Sequence, residues 1–297
     1  MPIPLANPSA AQNRLAGSAQ ASRAPFDAPA PLCLWHLTSL DAPTVAVVWS
    51  LSFAWVAGVH LPKWVPVLLA IGTWVVYVGD RLLDARAAFR SGNLGALRER
   101  HFFHWRHRRV LAPFACCAAV TAAGIVLSLM PSASRERNSV LAFAALAYFS
   151  GVHVPRVRPK TLAPSKELIV GVLFTAGCAY PVFARIHAAA GSLWPLLLLT
   201  VFFAALAWLN CTAIDRWESA ECTGVSSAAF ALATFGLLAA LGFFLHQSRI
   251  SALILAGSAS AALLGLLDLR RCRITPLTLR CAADLVLLTP ILCLFAR

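Results

Sequence analysis

Acidic residues are what this sequence has least of. Only 12 Asp and Glu stand against 25 Lys and Arg in 297 residues, for a formal net charge of +13. Charged residues of both signs make up 12% of the chain, about half the roughly 25% of a soluble globular domain. A water-facing surface of ordinary size cannot be built from so few charges, which excludes a typical soluble enzyme. The nine cysteines include no C-x-x-C pair. Several of them (Cys116, Cys117, Cys178, Cys293) lie inside apolar runs, where Cys acts as a small hydrophobe. Neither a disulfide framework nor a zinc site is expected. There is no apolar core before Leu32, so no cleavable signal peptide is expected. Short alternating segments of the kind that build a membrane β-barrel are also missing.

What the sequence has in abundance is long apolar runs. It is 59% hydrophobic with a mean hydropathy of +0.73. Runs of about 18–20 residues recur, each long enough to cross a bilayer core of roughly 30 Å. The fold class expected is all-α: a polytopic membrane bundle of about nine transmembrane helices. The spans fall roughly at 43–60, 64–80, 110–130, 139–154, 167–184, 193–211, 225–246, 250–268 and 281–296. Residues 1–40 are Ala/Pro/Ser-rich with Arg14 and Arg23 as their basic residues. They read as a disordered cytoplasmic tail before a membrane domain over 41–297. Pro181 and Pro290 fall inside spans, where they are expected to kink the helix.

The basic residues lie mostly in alternate loops. One group runs from Arg81 to Arg109, a second is Arg156, Arg158, Lys160 and Lys166, and a third is Arg270, Arg271, Arg273 and Arg280. The positive-inside rule places these loops and the N-terminus in the cytoplasm. The membrane expected is a bacterial inner membrane. Anionic headgroups explain the pI of 10.1 more simply than nucleic acid does, and no nucleic-acid partner is expected.

The scarce acids are concentrated. Trp74-Val-Val-Tyr77-Val-Gly-Asp80-Arg81-Leu-Leu-Asp84 closes the second span, and Asn210-Cys-Thr-Ala-Ile-Asp215-Arg216-Trp-Glu218-Ser-Ala-Glu221 closes the sixth. These two windows hold five of the 12 acids. Each window ends the second span of a four-span block, as an internal duplication would give. Carboxylates at i and i+4 share a helix face and repel unless a cation lies between them. Asp80 with Asp84, and Asp215 with Glu218, can form two facing pairs around one or two Mg²⁺, with Glu221 as a further ligand. Arg81, Arg156, Arg158, Lys160 and Lys166 are candidates for holding diphosphate oxygens. Trp74, Tyr77, Tyr148, Phe149 and Trp208 can line a space for a hydrocarbon chain. An isoprenyl diphosphate combines such an anionic head with such a tail. Asn210 is placed to support Asp215 or to bond between helices.

This arrangement resembles the UbiA superfamily of intramembrane prenyltransferases, which have nine transmembrane helices and two Asp-rich motifs. The family's first motif reads N-D-x-x-D-x-x-x-D. Here Val76 and Tyr77 stand where it has Asn and its first Asp, while Asp80 and Asp84 match the last two acids. Asp215, Glu218 and Glu221 resemble the second motif, with Glu in two places. Tyr148 through Lys160, followed by Lys166, Glu167 and Gly171, looks like the family's loop after the fourth span. The resemblance covers roughly residues 36–296. It implies Mg²⁺-dependent transfer of an isoprenyl group from a prenyl diphosphate to a lipophilic acceptor, such as an aromatic or quinone precursor. It carries Asp80, Asp84, Asp215 and Glu218 over as catalytic.

Blander readings stay open. Asp80 and Asp84 can simply pair with Arg81, Arg86 or neighbouring loop arginines at the interface, and Asp215, Glu218 and Glu221 can lie on a solvated loop helix. His101, His104 and His107 recur every three residues, but Phe102, Phe103 and Trp105 between them read as an interfacial amphipathic helix. Asp41 and Asp284 are expected to be caps or pairs, and Asp268 to pair with Arg270 or Arg271. The rival functions are a small membrane transporter and a non-catalytic lipid-binding relative.

Overall fold

A computed structural model describes residues 30–92, 97–136, 138–140, 143, 166–186, 193–219 and 224–295, and those residues form helices and their connections without a strand. Tyr148, Arg156, Arg158, Lys160 and Glu221, and most of the span expected over 139–154, lie outside the described residues. The helices are α1 (Ala30–Leu37), α2 (Asp41–Ala57), α3 (Trp64–Ser91), α4 (Glu99–Arg106), α5 (Arg108–Leu129), α6 (Lys166–Phe183), α7 (Trp194–Ser219), α8 (Ser226–Phe243), α9 (Ser248–Leu269), α10 (Pro276–Val286) and α11 (Ile291–Phe295).

Among the described residues six helices are long and apolar enough to cross a membrane: α3, α5, α6, α7, α8 and α9. Their outward faces are greasy. Val120 is 73% exposed on α5, and Phe114, Leu127, Leu238 and Leu241 also point away from the protein. Faces so apolar and so open fit hydrocarbon rather than water. The chain therefore has the build of an integral membrane protein.

Two of the expected spans take a different form. Residues 30–37, read from sequence as part of an irregular tail, form α1. It meets α2 at an 85° corner, and the two together are apolar enough to be one broken span. The last expected span, 281–296, is split into α10 and α11 by a turn over residues 287–290. Pro290 explains the split, since proline removes a helical N–H and its ring clashes with the preceding turn. Backbone freed at membrane depth must find partners inside the protein. It does: Trp49 Nε1 donates to the Leu287 carbonyl at 2.9 Å and Ser260 Oγ donates to Val286 O at 2.6 Å. The Thr289 side chain anchors the turn by donating to Ala256 O of α9 at 2.7 Å.

The core lies between α2 and α7. The rings of Trp49 and Phe203 stack with centroids 3.8 Å apart, Phe53 packs edge-on against Phe203, and all three are fully buried. On one side α6 lies close along α7, because Gly171 brings the backbones together: a Cβ there would fall 2.8 Å from the Trp208 nitrogen. On another side α8 packs along α9, and both reach the Phe202 ring, α8 at Gly236 and α9 at Gly257. Small residues at helix crossings allow this approach in membranes, where apolar side chains gain little by leaving lipid. The buried Asp268 ties three helices: its oxygens accept from Trp217 Nε1 at 2.9 Å, from the Val225 and Ser226 amides at 2.8 Å each, and from Arg271 at 2.8 Å. The expected pairing with Arg271 is thus one of four bonds. The two amide bonds satisfy donors at the start of α8 that have no partner within their own helix.

Candidate functional site

Three features meet at one end of the bundle, where α3, α4 and α7 end and α10 begins. They are an apolar cavity, an arginine clasp and a buried polar corner.

The cavity runs between α3 and α6 and has a volume of about 500 Å³. Its length is lined by Leu69, Gly72, Val76, Val170, Phe174 and Gly177, with Trp64 and Arg185 at one end and Tyr77, Asp80 and Lys166 at the other. Three residues expected at the site, Tyr77, Asp80 and Lys166, therefore share this wall. Trp208, expected to line a chain-binding space, is not among the lining residues. Trp74 is not among them either. Its indole Nε1 donates to Thr38 O at 3.0 Å, so it faces the corner.

The clasp is built on Glu218. Arg98 Nε lies 3.4 Å from its Oε2, Arg100 Nη1 donates to its Oε1 at 3.1 Å, and the Arg280 guanidinium pairs with the same Oε1. Arg98 also donates to the Glu218 carbonyl at 2.8 Å. Both carboxylate oxygens are thus engaged by guanidinium groups. The short helix α4 stands between the two acidic ends: Arg98 and Arg100 reach Glu218, while His101 Nε2 faces Asp84 Oδ2 at 3.8 Å. The expected facing pairs are therefore separated at Glu218 by cationic side chains. Asp84 is half-buried beside α4, and Asp215 lies just before Glu218 on α7.

The two buried histidines of α4 have assignable tautomers. His101 Nδ1 accepts from the Arg98 amide at 3.0 Å, so its proton is on Nε2, toward Asp84. His104 Nδ1 lies 2.7 Å from the Arg100 carbonyl, which can only accept, so His104 Nε2 accepts from Ser39 Oγ at 3.1 Å. Burial, with Arg100 and Arg81 alongside, pulls His101 down from 6.5 to about 3. Burial and Arg81 likewise pull His104 down to about 4. Both rings are neutral at pH 7. The helix is amphipathic as expected, but its histidine face turns inward and its Phe102 is exposed. Trp105 stacks on Phe89 of α3 at 4.8 Å.

The polar corner is where α1 turns into α2. His36 Nδ1 lies 2.6 Å from Asp41 Oδ2 and 3.5 Å from Asp284 Oδ2. Arg81 Nη2 lies 3.8 Å from Asp41 Oδ2, and its Nη1 donates to the His36 carbonyl at 3.1 Å and to Ser39 Oγ. Asn210 Nδ2 donates to Asp284 Oδ1 at 3.2 Å, which makes Asn210 an interhelical link from α7 to α10. Tyr77 carries the Arg81 guanidinium 5.8 Å above its ring and so touches both the corner and the cavity. Sequence reasoning singled out Arg81, Tyr77 and Asn210. It read Asp41 and Asp284 only as caps or pairs and did not single out His36. The available signal was two acids near the ends of apolar stretches in a chain with 12 in all, since ionisable residues of membrane helices mark sites.

No family model, no curated protein and no solved structure matches this chain.

Proposed function

We propose that the chain transfers an isoprenyl group from a prenyl diphosphate to a lipophilic acceptor. The observation that carries this reading is the cavity: a long apolar slot with a carboxylate, a tyrosine and a lysine gathered at one end. That is the shape of an amphiphile with one greasy chain and an anionic head, and its size is within the roughly 300–1,000 Å³ of small-molecule sites. Lys166 offers a cationic group for the diphosphate at the cavity's polar end, whereas Arg81, expected to share that role, is held by Asp41, His36 O and Ser39 in the corner. The aromatic and aliphatic walls keep water from an allylic cation. Mg²⁺, when bound, would neutralise the departing diphosphate. Asp80, Asp84 and Asp215 have the oxygen chemistry for it. Glu218 does not fit that role, because a metal would have to displace guanidinium groups from both of its oxygens. The acceptor is an aromatic or quinone precursor, the membrane a bacterial inner membrane, and the N-terminus cytoplasmic.

The same clasp favours a second reading, a relative that binds the prenyl lipid without turning it over. One experiment separates them. Purified protein is given radiolabelled prenyl diphosphate with and without Mg²⁺, against a panel of lipid-soluble acceptors. Mg²⁺-dependent transfer is expected, with Asp80→Asn slowing it roughly 100-fold or more, the scale of removing a group that stabilises developing charge. Gly72→Phe should weaken binding of the chain, because a side chain at Gly72 enters open space within the cavity. Binding without transfer would select the second reading. Failure to bind prenyl diphosphate at all would end both.

A further inference from the structure

His36 is a buried histidine whose two ring nitrogens both lack a hydrogen bond. The residue is 2% exposed, and neither Nδ1 nor Nε2 has a partner in hydrogen-bond geometry. Nδ1 is held only by charge contacts, 2.6 Å from Asp41 Oδ2 and 3.5 Å from Asp284 Oδ2, and Nε2 by none. Buried polar groups are nearly always satisfied, and an exception calls for an explanation such as an ion. A second buried polar atom is in the same condition. Asn210 is 5% exposed, its amide nitrogen holds Asp284 Oδ1, and its Oδ1 has no partner.

The donor atoms around these orphans are those of a metal site. One nitrogen of His36 and one oxygen each of Asp41 and Asp284 lie within 4.8 Å of one another. The 3.5 Å between His36 Nδ1 and Asp284 Oδ2 is close to roughly 3.4 Å, the edge of a tetrahedron with 2.0–2.1 Å bonds. Asp41 Oδ2, 2.6 Å from the same nitrogen, would have to move outward by about 0.8 Å to reach that spacing. Metal ligands are normally oriented by outer partners. Asn210 does this for Asp284, and the Ala42 amide does it for Asp41, donating to Oδ1 at 2.9 Å. An imidazole with two carboxylates suits a first-row transition ion better than Mg²⁺, which takes oxygen alone.

We propose that His36, Asp41 and Asp284 form a binding site for a divalent transition metal, with Zn²⁺ as the reference ion and the Asn210 carbonyl as a fourth donor. The site pins the start of the chain, through α1 and α2, to α10, and α10 to α7. It does not depend on prenyl transfer, since Asp80, Asp84 and Asp215 are not part of it. The competing state is metal-free. There a protonated His36 and the Arg81 guanidinium balance the two carboxylates.

The test uses the purified full chain, stripped with chelator and then dialysed against Zn²⁺ or Co²⁺. One equivalent of Zn²⁺ per chain is expected to survive desalting and to raise the unfolding temperature. Asp284→Asn, nearly isosteric, and His36→Gln should each weaken Zn²⁺ binding by ~100-fold or more. Asn210→Ala, which removes the orienting amide, should weaken it by roughly 10–100-fold. Asp80→Asn should leave it unchanged. Asp284→Asn keeps the test open if His36→Gln does not fold. Failure of wild-type protein to bind Zn²⁺ at micromolar concentration overturns the proposal in favour of the protonated pair. So does binding that all three variants retain. A thiolate charge-transfer band in the Co²⁺ protein would also overturn it, because Cys33 and Cys281 lie one turn before His36 and Asp284 on the same helices.

Discussion

Ser39 shows how much a single position can carry. At the end of α1 the Ser39 amide bonds to His36 O and the Leu40 amide to Trp35 O, the paired bonds of a Schellman cap. The end of α2 repeats the motif with Gly58 and Val59. Gly58 holds φ at 64° and Ser39 holds φ at 61°. Glycine takes that conformation freely, whereas a residue with a Cβ loses roughly 1–2 kcal/mol there. Ser39 stays because its Oγ accepts from Arg81 and donates to His104 Nε2. Ser39→Ala keeps the strain and loses both bonds, so it should destabilise by about 2–3 kcal/mol. Ser39→Gly loses the bonds but relieves the strain, so thermal unfolding should place it about 1 kcal/mol above the alanine variant. Gly equal to or below Ala would refute this account. The histidines beside Ser39 set a pH dependence. Their folded values, about 3 and about 4, lie below the unfolded 6.5. The unfolded chain therefore takes up protons first as pH falls. Their contribution is full above pH 6.5 and is lost as pH falls toward 4. Between pH 6.5 and 5 each ring should remove roughly 1–2 kcal/mol of stability. His104→Gln should flatten the fall in unfolding temperature over that window, and an unchanged slope would count against the buried neutral ring.

At the scale of elements, close approach and broken helices decide the architecture. Gly171 allows α6 to press against the α7 backbone at Trp208, with no room for a Cβ. Gly171→Ala should cost about 1–3 kcal/mol, the usual range for overpacking, and should also shift the cavity wall that α6 supplies. Chemical denaturation of the variant measures the first effect. A change below about 0.5 kcal/mol would mean that the helices separate freely there. The break between α10 and α11 was signalled by Pro290, but the sequence could not say which groups would take the freed carbonyls. The answer, Trp49 and Ser260, comes from helices far away in the chain.

For the whole molecule, α4, the end of α7 and α10 lie together through Arg98, Arg100, Glu218 and Arg280, and the end of α3 joins them through Asp84 and His101. The alternation of basic loops groups the same segments on one side. Helix α5, with 22 residues, is about 33 Å long at 1.5 Å per residue, so Arg135 beyond its end lies at the far side. Cysteines placed at Arg90 and Arg273 should be labelled by an impermeant reagent from the same face, and one at Arg135 from the other. Labelling of Arg90 and Arg135 positions from one face would contradict this topology.

Composition and periodicity by themselves determined that this is a helical protein built for a membrane, because 18 or more apolar residues in a row leave a chain few other places to go. They also located the long helices α3, α5, α6, α7, α8 and α9 to within a few residues, except where α3 and α7 continue past the apolar stretch into their acidic ends. They drew notice to Tyr77, Asp80, Arg81, Glu218 and Asn210, because polar residues are conspicuous against an apolar background. What only tertiary structure decided is which charges meet. His36 and Asp41 precede the first long run while Asp284 lies near the start of the last, and nothing local marks them as neighbours. The choice of Arg280, Arg98 and Arg100 as the partners of Glu218 is likewise made by how α4 and α10 dock against α7. Helix formation follows from local pattern, whereas ion pairing depends on the three-dimensional placement of side chains whose separation in sequence carries no trace of it.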